Sequence, residues 1–74
     1  MSDGGKRTYT LGNLIDVAHR EVVMRSRVYP GLVQKGKMRQ AAADWEIGAM
    51  QAIESWLTER AAQIAAERLK ASAG

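Results

Sequence analysis

The chain has no cysteine, and His19 is the single histidine among its 74 residues. A disulfide framework is therefore impossible. A structural zinc is all but excluded, because the usual sulfur and nitrogen ligands do not occur together. No apolar run approaches the roughly 18 residues that span a bilayer, and Met1-Ser2-Asp3-Gly4-Gly5-Lys6-Arg7 carries no apolar stretch of the kind found in secretory signals. A reducing, cytoplasmic setting without membrane contact is the expectation. Also missing are a glycine-rich phosphate loop, a Ser/His/Asp set and a zinc-finger spacing. No catalytic residue, metal site or cofactor is expected, and the chain reads as a binding protein rather than an enzyme.

Proline is nearly absent, and the exception punctuates the chain. Residues 1–9 read as a polar tail, and 10–74 as one helical domain. A first helix is predicted from Thr10, a good N-cap, to about Val28, with Leu11, Leu14, Ile15, Ala18, Val22 and Tyr29 at three- and four-residue spacing. The residue before a proline is pushed out of the α region, so Pro30 is expected to end that helix and open a short connecting helix over about 30–35. Gly36 would close it in a left-handed cap. A long helix follows over about 39–71. The fold class is all-α: an antiparallel helical hairpin with a short connector.

What is present in quantity is apolar surface on the long helix. Met38, Ala42, Trp45, Ala49, Met50, Ile53, Trp56, Leu57, Ala61 and Ile64 cover an arc of roughly 160°, broad for a surface helix. Trp45 and Trp56 read as core anchors. At 1.5 Å per residue the long helix reaches about 48 Å against about 27 Å for the first, so everything from Ala61 onward would overhang. Each large side chain left in water there costs about 1.5–3 kcal/mol. A homodimer through Trp56, Leu57, Arg60 and Ile64 is the preferred solution, and a frayed C-terminal end the alternative. Arg60 would either lay its stem over Trp56 or meet an acid of another subunit.

Three charges interrupt the apolar pattern. Glu21 and Arg25 lie one turn apart on the inner face of the first helix, and an antiparallel register brings Glu46 to the same place. Glu21, Arg25 and Glu46, closed by the Tyr29 hydroxyl, form an expected structural ion cluster, since partly buried charges persist only when paired. His19 reads as an ordinary surface or boundary histidine.

Charge is unevenly placed. The net charge is +3, yet Arg25, Arg27, Lys35, Lys37 and Arg39 follow one another between Val22 and Ala43 with no acid among them. Such a one-sided field attracts acidic protein surfaces or nucleic acid. The longest helix offers Asp44, Gln51, Ser55 and Thr58 on its outer side and is net acidic, which makes it a poor reader of a DNA major groove.

Glu21-Val22-Val23-Met24-Arg25-Ser26-Arg27-Val28-Tyr29-Pro30, then Gly36-Lys37-Met38, then Ala43-Asp44-Trp45-Glu46-Ile47 and Met50-Gln51-Ala52-Ile53 resembles a group of short phage- and prophage-encoded helical proteins, mostly of unassigned function. The resemblance implies an inhibitor of a host protein or ribonucleoprotein complex in a bacterial cell, of the anti-CRISPR kind. Its partner-binding residues would be Arg25, Arg27, Lys35, Lys37 and Arg39. A nucleic-acid-binding accessory protein using Arg25–Arg39 is the alternative.

Overall fold

The computed structural model describes residues 8–73. They form two α-helices, α1 (Leu11–Gln34) and α2 (Gln40–Ala73), which pack antiparallel as a hairpin. Of the expected polar tail, residues 1–7 lie outside the described range.

Both ends of α1 are set by local chemistry. Thr10 is extended, and its Oγ1 accepts from the Asn13 N–H at 3.0 Å while its own N–H donates to Asn13 Oδ1 at 3.3 Å. This reciprocal capping box satisfies two backbone donors that helix geometry leaves open. At the far end Gly36 adopts φ 73°. The Gly36 N–H donates to the Val33 carbonyl and the Lys37 N–H to the Leu32 carbonyl, at 3.0 and 2.9 Å. This is a Schellman closure, which requires a left-handed residue at that position.

The expectation that Pro30 ends the first helix is not met. The helix runs through Pro30 for another turn, and the separate connecting helix over 30–35 is not seen. The ring removes one N–H and so leaves the Ser26 carbonyl without its ordinary helical partner. The extra turn half-buries Leu32 and Val33 and reaches the cap at Gly36, and the Lys35 N–H donates to the Gly31 carbonyl at 3.1 Å. One lost bond is outweighed by a buried turn and a closed end.

The interface between the helices also departs from the expected wheel. Ala18 and Ala43 are the buried residues of the core, each 2% exposed. The half-buried positions of α2 are Glu46, Ile47, Ala49, Met50, Glu54, Leu57, Ala61 and Ile64. Ala43, Ile47, Met50, Glu54, Leu57, Ala61 and Ile64 recur at alternating four- and three-residue steps, a heptad seam against α1. Trp45 and Trp56 are 70% and 74% exposed, so neither is a core anchor of the single chain. The apolar arc is wider than one neighbouring helix can cover, and small Ala18 and Ala43 let α1 settle on the side away from both indoles.

Two glycines predict opposite outcomes for the same substitution. Gly36→Ala forces a Cβ into the left-handed region and is expected to destabilise by about 1 kcal/mol. Gly48 lies inside α2, where a methyl group would meet nothing within 4 Å. Gly48→Ala is expected to stabilise by about 1 kcal/mol. Thermal unfolding of the two variants at one protein concentration checks both signs.

Candidate functional site: a basic turn, an ion cluster and an exposed apolar face

Arg25 joins the helices. Its Nε donates to Glu21 Oε1 at 3.0 Å, and its Nη1 donates to Glu46 Oε1 at 3.1 Å and to the Glu46 carbonyl at 3.0 Å. The arginine side chain is 21% exposed and the two carboxylates 38% and 43%. The guanidinium pKa is raised above its already high ordinary value. The hydrogen bond to Glu21 is the largest cause, partial burial opposes it, and the charges of Tyr29, Glu21 and Glu46 add to it. Arg25 is therefore a fixed cation at every working pH. Tyr29 is half-buried nearby, but among the described residues no hydrogen bond reaches its hydroxyl. The closure by Tyr29 is absent.

A second tie across the hairpin gave little sign of itself in the sequence. His19 Nδ1 lies 2.9 Å from Glu54 Oε2, with the histidine side chain 61% exposed. The register of Arg25 with Glu46 sets the levels at which the helices meet, and carried six residues back along α1 and eight forward along α2 it brings His19 beside Glu54. The same side holds a shallow open groove lined by His19, Val22, Gln51, Ser55, Thr58 and Glu59. Among the described residues no group of three acidic, histidine or cysteine side chains converges as a metal site. Among the described residues no helix is long and apolar enough to cross a membrane.

The five cations named from the sequence separate into two kinds. Arg25 is consumed by the ion cluster. Arg27, Lys35, Lys37 and Arg39 are exposed, and three of them flank or occupy the tight turn that the Schellman closure fixes. Among the described residues no side chain caps the first N–H groups of α2, so its positive end adds to the field of that turn. No family model, curated protein or solved structure matches the chain.

The four residues expected at a dimer interface also divide. Trp56 and Arg60 are exposed, whereas Leu57 and Ile64 are half-buried on the α1 side of α2. Among the described residues Arg60 has only a long contact to Gln63, at 3.4 Å.

The exposed apolar residues fall largely on one broad face. Glu21 and Glu46 mark the side of the hairpin that carries the ion cluster, and His19 and Glu54 mark the opposite side. Seven residues are two turns of helix. Leu14 and Val28 lie seven positions either side of Glu21, and Ile53 and Arg60 lie seven and fourteen beyond Glu46. Val17 and Met24 flank the same line on α1. Leu14, Val17, Met24, Val28 and Ile53 are 39–48% exposed, and Trp56 borders them. Sequence periodicity named Leu14, Ile53 and Trp56 but not Val17, Met24 or Val28, and it did not reveal that the two helices would turn them the same way.

Proposed function

We propose that this is a non-enzymatic binding protein whose basic turn docks on an acidic surface of a larger complex, in the manner of a phage-type inhibitor acting inside a bacterial cell. The observation that carries the reading is the set Lys35, Lys37 and Arg39, exposed within five residues on a turn held by backbone hydrogen bonds. A rigid cluster of like charge has already met the ordering cost that a flexible basic tail meets on binding. Its field lengthens the reach of the encounter and accelerates association with an acidic partner. Inhibition then follows from occupancy, by steric and electrostatic blockade of the surface covered. The resemblance to short phage proteins, and through it to anti-CRISPR inhibitors, supports this class of partner.

The test is capture from a bacterial lysate with and without nuclease, using the wild-type chain and a Lys35→Ala/Lys37→Ala/Arg39→Ala variant. The expected result is a protein partner that survives nuclease and is lost with the triple variant. Capture unchanged in that variant would remove the basic turn from the mechanism. Capture abolished by nuclease, with affinity falling by close to one power of salt per phosphate contact, would favour the nucleic-acid-binding accessory role instead.

A further inference from the structure

The single chain is short of core. Among the described residues Ala18 and Ala43 are the buried hydrophobic ones, and no large side chain is fully enclosed. Its accessible surface is 6008 Å², whereas a compact monomer of 8.1 kDa exposes about 4,500 Å². Allowing the eight residues outside the described range the largest area an open chain can have, about 1,100 Å², leaves about 4,900 Å² for the others, where a compact chain of their mass exposes about 4,200 Å², an excess of about 700 Å². That approaches one partner's share of a standard stable interface, about 800 Å² per side.

The broad face that carries the ion cluster exposes Val17, Met24 and Ile53 and is bordered by Trp56, an apolar surface set around a small number of named charges. Those charges are arranged with a direction. At its middle two carboxylates, Glu21 and Glu46, share one guanidinium, which leaves a net negative centre. Arg60, four turns farther along α2, has no carboxylate partner among the described residues. Ile53 lies midway between Glu46 and Arg60.

We infer that a second copy of this chain covers this face in antiparallel orientation, with the two-fold axis crossing it at the level of Ile53. In that arrangement α2 lies over α2 and α1 over α1, giving a four-helix bundle. Arg60 of each copy comes to the level of Glu46 of the other, so both net negative clusters gain a cation. A parallel copy instead sets the two negative clusters against each other and leaves both Arg60 side chains level with Leu11–Leu14. Like charges juxtaposed at an interface are unfavourable, and the antiparallel pairing avoids them. The basic turns then lie at opposite ends of the dimer, outside the interface, free for a partner.

Light scattering across a concentration series reads the mass of the wild-type chain, and an Ile53→Cys variant reads the orientation. The expected results are a dimer and a disulfide that forms readily between the two copies, because the position faces itself across the axis. Arg60→Glu should keep the helix content by circular dichroism and weaken the dimer tenfold or more, at roughly 1.4 kcal/mol per decade. A mass that stays monomeric at millimolar concentration overturns the inference outright. A dimer in which the Ile53→Cys variant does not link and Arg60→Glu has no effect overturns the face and its direction.

Discussion

Arg25→Met will lower stability by about 2–3 kcal/mol, the range for hydrogen bonds to charged groups in partly desolvated settings. Methionine keeps the stem and the apolar volume, so the loss isolates the guanidinium. Three hydrogen bonds vanish together. Glu21 and Glu46 are then left facing each other across the hairpin with no cation between them, which makes this costlier than losing an ordinary exposed ion pair, worth about 0–1 kcal/mol. Glu46→Gln removes one carboxylate while keeping its shape and is the milder variant. In the double variant Arg25→Met/Glu46→Gln the losses should fall short of their sum by about 1 kcal/mol. Denaturant unfolding at one fixed protein concentration makes the comparison, since the inferred pairing of two copies would make stability depend on concentration. Additive losses would mean that the Arg25–Glu46 contact carries no energy.

Pro30→Ala is expected to act in the other direction and stabilise by about 1–2 kcal/mol. A proline inside a helix costs about 3 kcal/mol through the missing N–H and the clash with the carbonyl four residues earlier. Alanine restores a donor to the Ser26 carbonyl in a helix that already runs past this point. Two effects reduce the gain. Proline restrains the unfolded chain by about 0.4–1 kcal/mol, and the position is one turn from the helix end, where backbone bonds are weakest. The ring is exposed, so no packing is lost. A melting temperature that falls would show that the ring braces the turn at Gly36.

The sequence made the two helices and their caps at Thr10 and Gly36 legible, though not where the first of them stops. Thr10 and Gly36 act through side-chain and backbone geometry that depends on near neighbours alone, and both sit where local rules place them. Pro30 shows the limit of such rules. The rule concerns one hydrogen bond, whereas the outcome depended on what the next four residues could bury. Arg25 with Glu46 was readable because charges inside an apolar stripe have few ways to be satisfied, and a single antiparallel register satisfies them. The tryptophans were not readable. A helix with apolar residues around most of its circumference carries two possible seams, and a wheel does not say which one a shorter neighbour will occupy. That choice fell to the small side chains at Ala18 and Ala43, whose effect is on approach distance rather than hydrophobicity. His19 with Glu54 was recoverable only in sequence, once the register of Arg25 had been taken as given.

A hairpin of two helices is a single layer, about 10–12 Å through with its side chains. It has outline but no depth. Among the described residues its grooves lie open to solvent, so a partner would read it by silhouette and by the placement of charge. Each position that holds the helices together lies within one side chain of the surface presented to other molecules. Substitutions that drift one therefore drift the other, and a chain of this build changes its fold and its recognition in the same step.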